Sequence, residues 1–350
     1  MAVLGAWGWG AGNKTFYSDS GWTIDASHKL STLAGRRHLN PNGYGGECAL
    51  VVDTNLITTT PLVSTTARWF HAYIVPKNTG SPTTYVLHFL RSGGATFWVR
   101  VNSTGTVDLL SGTLYFAATL LASSGGAINP NVGHWFAIYA NVSASGEAKV
   151  YVDGALVVSF TGNTQGAGSS DWDQVALAHN GVGSGGLTPE YCISDIIITD
   201  EGSTSPRPEL FTQVIPVGGL ASGNLTGNPI TGASRYQNID EGGSAGAVDN
   251  VDYNEGTAIS DEDLYTTVDP TLDAASIAMV NVWGWAERSG AITQAQLSVK
   301  PGSTVYYQTA VTLPASGWQA FSYILETDPD TAAAWTDSAL NSLEIGVKFS

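Results

Sequence analysis

Apolar residues fall along this chain in short runs with a period of two, without the three-and-four spacing of helices. In RWFHAYIVP (68–76), Trp69, His71 and Tyr73 lie on one side and Phe70, Ala72 and Ile74 on the other. Comparable runs recur at ECALVVDT (47–54), TYVLHFLR (84–91), TFWVRVN (96–102), WFAIYANV (135–142) and YCISDIIIT (191–199). They are rich in β-branched and aromatic residues and are separated by turn-forming clusters, which predicts strands joined by turns. In VYVDGALVV (150–158), Asp153-Gly154 supplies the positive φ angles of a two-residue hairpin and so fixes the register of its flanking strands.

A second set of strand patterns covers 276–287, 294–299, 304–312 and 318–325. Between the two sets, STSPRPE (203–209) and a Gly/Ser/Thr-rich stretch at 218–234 mark a break. The expected organisation is a domain at 1–205, a linker at 206–234 and a second domain at 235–350. Residues 336–345 are the best helix candidate. Thr336 or Asp337 would cap it, and Ala339, Leu340 and Leu343 would share one side. The predicted class is all-β: two β-sandwich, jelly-roll-like domains and one short C-terminal helix.

Composition sharpens this picture. With 350 residues, 43% of them hydrophobic, each half has enough apolar side chains for its own core. The net charge is −16, from 14 basic against 30 acidic residues, and no basic cluster occurs. That argues against nucleic acid and against an anionic membrane surface as partners. No window is apolar enough to predict a membrane span, and MAVLGAWGWG lacks the basic start of a signal peptide, so folding in a cytoplasm is expected. Cys48 and Cys192 read as buried free thiols, with a disulfide as the alternative.

A retaining glycosidase needs two carboxylates about 5 Å apart, and no strand carries such a pair. Asp261-Glu262-Asp263 comes nearest and reads as a solvated acidic loop. No nucleophile elbow, zinc-ligand spacing or phosphate-binding loop occurs, and His71 and His88 read as packed strand residues. Trp69, Trp98, Trp135 and Trp318 read as core, whereas Trp7 and Trp9, in a glycine-rich apolar start, read as an inter-subunit contact.

HWFAIYANV, the V-Y-V-D-G-x-L-V hairpin and YCISDIIITDEG together resemble the second half of a laminin G-like (concanavalin A-like) domain, and RWFHAYIVP and FWVRV match its first half. The resemblance spans about residues 1–202 and implies a sandwich that hosts lectins, glucanases and structural modules alike. RYQNIDE (235–241), EDLYTTVDPT (262–271), MVNVWGWAER (279–288) and the ending DPDTAAAWTDSALNSLEIGVKFS (328–350) resemble a block that follows such domains in virion proteins of tailed bacteriophages. This implies a non-enzymatic component of the particle, a capsid decoration or a capsid or tail appendage, assembled in the bacterial cytoplasm. Its partners would be other virion proteins and host or environmental glycans, and its assembly a homo-oligomer such as a trimer. A glycan-binding tail fibre is the alternative and a depolymerase the third reading. No cofactor is expected, but laminin G-like sandwiches often hold calcium in rim loops. Asp171, Asp173, Asp195 and Asp200 are candidates, as are Asp249, Asp252 and Glu255 in the second domain, since carboxylate oxygens suit that ion.

Overall fold

The computed structural model describes residues 3–7, 16–18, 22–25, 38–41, 49–53, 67–76, 85–91, 94–102, 104–112, 118–129, 133–165, 172, 174–179, 191–200, 206–208, 215, 217–239, 252–268, 276–288, 290–317 and 319–350. Side chains are described from Ala67 on, except over 75–96 and 174–196 and at 285 and 320. The protein is all-β and divides into two compact units, the first ending at Thr212 and the second running from Gln213 to Ser350.

The first unit contains β1 (Val3–Trp7), β2 (Phe16–Ser18), β3 (Trp22–Asp25), β4 (His38–Pro41), β5 (Ala49–Asp53), β6 (Ala67–Pro76), β7 (Tyr85–Arg91), β8 (Gly94–Val101), β9 (Thr106–Ser111), β10 (Thr119–Ala127), β11 (His134–Asn141), β12 (Gly146–Val152), β13 (Ala155–Gly162), β14 (Gln174–His179) and β15 (Tyr191–Thr199). One antiparallel sheet has the order β13-β12-β11-β6-β15-β4-β3, with β1 also on β15; the other runs β10-β9-β8-β7-β14-β5-β2. The β12–β13 turn has Asp153 at φ 51° and Gly154 at φ 81°, as the Asp-Gly pair requires. Along β12, Ala148, Val150 and Val152 are buried while Glu147, Lys149 and Tyr151 are partly exposed, so the sheet's inner face is the Phe70–Ile138–Val150 side. Arg68 lies on that side: its Nη1 donates to the Trp172 carbonyl at 2.8 Å and its guanidinium sits 5.5 Å from the Trp172 ring centre.

The outer face of this sheet is also covered. Trp69, His71 and Trp135 form a stack with ring centres 5.6 and 6.0 Å apart, flanked by Tyr139 and Tyr151. Trp69 and Trp135 are buried as expected, and so is Trp98 in the other sheet. The strap Pro206–Pro208 lies against the stack: the Arg207 N–H donates to His71 Nε2, and Trp135 Nε1 donates to the Arg207 carbonyl, both at 3.2 Å.

The second unit contains β16 (Val217–Gly223), β17 (Thr226–Asn228), a 3-10 helix (Gly232–Asn238), β18 (Tyr253–Glu255), β19 (Glu262–Thr267), β20 (Val280–Ala286), β21 (Gln294–Lys300), β22 (Tyr306–Tyr307), β23 (Val311–Thr312), β24 (Gln319–Leu325), α1 (Asp337–Asn341) and β25 (Glu344–Phe349). Its main sheet has the order β16-β19-β25-β21-β22, with β23 also on β21. The β20–β24 ribbon supplies Val282, Ala286 and Phe321 to a core shared with Ala295, Leu297 and Val299 of the main sheet and with Trp335, Leu340, Leu343 and Phe349.

Two expectations are corrected here. Part of the stretch expected as a linker, 206–234, is structure: β16 pairs with β19 along its length, because the backbone hydrogen bonds of a strand do not depend on its small side chains. The C-terminal helix is shorter than 336–345. Thr336 caps it, its hydroxyl accepting from the Ala339 N–H at 3.2 Å, but the chain leaves the helix by Ser342 because Glu344–Phe349 is drawn into the sheet between β19 and β21.

Candidate functional site

The Asp261-Glu262-Asp263 segment is not the solvated loop its charges suggest. Asp263 is fully buried and Asp261 nearly so. Asp263 takes both arms of Arg235, at 2.6 Å each, and accepts from the Tyr265 hydroxyl at 2.7 Å and the Leu225 N–H at 3.0 Å. Asn254 extends this network, its amide donating to the Tyr265 oxygen at 2.7 Å and to the Arg235 carbonyl at 3.1 Å. A buried carboxylate is tolerated when it is paired and fully bonded in this way. Burial, and then the charge of Asp263, push the Tyr265 phenol well above the usual range. Asp261 accepts from the N–H groups of Thr257 and Ala258 and from Asn224, each at 2.8 Å; the two backbone donors, Ala258 foremost, hold its carboxyl below the usual range.

These two anchors fix the start of β19, and the residue between them faces the other way. Glu262, Lys348 and Gln296 form one row across β19, β25 and β21, on the side away from the core. Leu264, Gly346, Ser298 and Tyr307 form the next row on that side, across β19, β25, β21 and β22. Tyr307 stands three strands from Glu262, about 14 Å at ordinary strand spacing, yet its hydroxyl lies 3.1 Å from Glu262 Oε2. The phenol must therefore lie along the sheet, across β25 and β21. The row beneath permits this. A Cβ on Gly346 would come within 2.0 Å of the Asp263 carbonyl oxygen, and Ser298 is small and wholly covered.

Tyr307 nevertheless remains 38% exposed. Lys348 Nζ sits 4.7 Å from the centre of its ring. Lys348 is the residue directly opposite Glu262 across the strands, yet Glu262 Oε1 is buried without a hydrogen-bond partner among the described residues. Burial, together with the Glu262 carboxylate, raises the Tyr307 phenol. The arrangement combines an aromatic surface, a carboxylate and an ammonium on a rigid sheet. Such a set recognises ligands by stacking and hydrogen bonding. Sequence reasoning did not single out Tyr307, Lys348 or Gln296; alternation along TVYYQTAVT groups Tyr307 with Val305 and Val311, the apolar side, so the pattern gave no sign of an outward-facing aromatic.

The residues singled out from sequence fall elsewhere. Trp7 is in β1, its backbone opposite Ile196, and its side chain is outside the described set; Trp9, Asp249, Trp318 and Cys48 lie outside the described residues. Asp252 is half-buried just before β18 and Glu255 is exposed at the end of that strand. Among the described residues, no group of three His, Cys, Asp or Glu side chains is placed to hold a metal ion. His71 is wholly buried, as a packed strand residue should be. Among the described residues, no helix is long and apolar enough to cross a membrane.

No protein-family model and no curated protein matches the chain. Among solved structures, an endo-β-1,4-glucuronan lyase from Trichoderma reesei is 9% identical, over 54% of this chain and 92% of that one, at a TM-score of 0.38. A carbohydrate esterase from the Shiga toxin-encoding bacteriophage phi24B is 12% identical, over 56% and 97%, at 0.37. A carbohydrate-binding module from Bacillus subtilis is 11% identical, over 54% and 96%, at 0.34. Likenesses at these scores carry no argument about the chemistry of this chain, which rests on its own side chains.

Proposed function

We propose that this chain is a non-enzymatic component of a bacteriophage particle that works through surface contacts and attaches to glycan through the outer face of its second unit. The observation that carries the adhesion reading is the Tyr307–Glu262–Lys348 group, an aromatic with a carboxylate and an ammonium beside it on a rigid sheet. The roles of four other carboxylates support binding over catalysis. Asp263 is held by Arg235, Asp261 by its own loop, Asp108 by Arg100, and Asp328 by Asp330 and Thr331. The particle assignment rests on the C-terminal sequence block ending in DPDT, Trp335-Thr336 and Gly346-Val347-Lys348.

A glycan array with the full chain tests adhesion: wild type is expected to bind, and no sugar bound at millimolar concentration would overturn the reading. Cleavage of a bound polysaccharide would replace it with the depolymerase reading. Electron microscopy of intact particles tests the location.

A further inference from the structure

Three features of the outer face are unexplained by packing alone. The Tyr307 ring is laid along the sheet with much of it open to solvent. Lys348 occupies that ring although its direct cross-strand neighbour is Glu262. Glu262 Oε1 is a buried acceptor with no donor among the described residues. A buried acceptor left empty is costly, and an exposed cation–π contact contributes little against it. The lysine therefore has two nearby resting places, and the one it occupies leaves the other unsatisfied.

We propose that Lys348 is a displaceable cover on Tyr307: a neutral pyranose of a glycan lays its C–H face on the ring, and the ammonium it displaces swings to Glu262 Oε1. This rests on the adhesion reading and adds to it the ligand class and the residue that moves. Neutrality follows from charge. An acidic sugar would meet the Glu262 carboxylate and a chain of net charge −16, and it would hold the ammonium where it is. A cationic ligand would compete with Lys348 for both ring and carboxylate. A neutral sugar has an apolar face for the ring and hydroxyls that water and neighbouring polar groups can bond at the margin. Lys348 has no covalent part in this, and no bond is made or broken.

The test uses the full chain with neutral hexose oligosaccharides and with uronate-bearing oligosaccharides, at low and high salt. Nuclear magnetic resonance follows the Lys348 ε-methylene, which the ring current shifts upfield while it lies over Tyr307. The expected result is binding of neutral sugars with little salt dependence and loss of the upfield shift on binding. Tyr307→Ala should abolish binding, Tyr307→Phe should retain most of it, and Glu262→Gln should weaken it about tenfold by removing the charge that receives the lysine. Unchanged melting of each variant confirms that the fold survives.

If wild type binds no glycan, the adhesion reading fails and the proposal with it. If wild type binds and Tyr307→Ala binds equally, the proposal fails while adhesion stands on another surface. Preference for uronates, or an unmoved Lys348 signal in the complex, also overturns it. So does a self-associated wild type that Tyr307→Ala converts to monomer, since the face would then belong to a second copy.

Discussion

His71 gives the first unit a defined sensitivity to acid. The ring is wholly buried between Trp69 and Trp135, its Nε2 accepts from the Arg207 N–H, and Nδ1 has no well-formed hydrogen bond among the described residues. Burial lowers its pKa to about 3 from 6.5; the Ile197 carbonyl favours the proton and Arg207 opposes it, each less strongly than burial. The folded state therefore keeps the ring neutral where the unfolded chain is protonated. Above pH 6.5 both states are neutral and nothing is lost. As pH falls from 6.5 towards 3, the unfolded state alone gains a proton and stability declines. With about 1.4 kcal/mol for each pH unit between the two pKa values, the loss is about 2 kcal/mol at pH 5, about 3 at pH 4, and about 5 at its limit.

His71→Phe keeps an aromatic in the stack and removes the titration. It loses the bond from Arg207 at every pH, a constant cost of about 1–2 kcal/mol. Urea titrations read by pulsed hydrogen exchange in peptides covering 67–76 and 134–141 report on the first unit alone. The stability advantage of wild type over His71→Phe should shrink by about 2 kcal/mol between pH 7 and pH 5. Carboxylates titrate equally in both proteins and cancel in that difference. An advantage constant to within about 0.5 kcal/mol would refute the reasoning, and would mean that cation–π attraction from the two tryptophans offsets the burial of the imidazolium.

Other expectations follow from the second unit. Asp263→Ala strands the buried Arg235 guanidinium and should cost about 3–5 kcal/mol in urea unfolding, whereas Tyr265→Phe removes two bonds of the network, the one to Asp263 and the one from Asn254, and should cost about 1–3 kcal/mol. Gly346→Ala forces a methyl against the Asp263 carbonyl and should cost at least about 1–3 kcal/mol, measured the same way. Thr336→Ala removes the cap of α1 and should lower stability by about 1 kcal/mol. Chelator should leave the melting midpoint unchanged, since Glu255 is exposed and Asp252 already has partners; a fall would instead show that calcium is held, and substitution at Asp249, Asp252 and Glu255 or at Asp171, Asp173, Asp195 and Asp200 would locate it.

The sequence by itself determined the local geometry. Alternation along 68–76 put Trp69 and His71 on one side and Phe70 and Ala72 on the other, and Asp153-Gly154 fixed a hairpin, because both depend only on a residue's near neighbours. It also pointed to a capped helix after Trp335, though not to where that helix ends, which the pull of β25 into the sheet decides.

What tertiary structure decided is which residues meet across the chain. Asp263 is structural because Arg235, 28 positions earlier, reaches it. Glu262 faces Tyr307, 45 positions later, because β25 and β21 insert between their strands. Even the two-sided burial of β6 required a strap from residue 207. Strand periodicity assigns a side chain to one of two faces; only the order of strands in the sheet, set by long-range pairing, says what stands beside it and whether water reaches it.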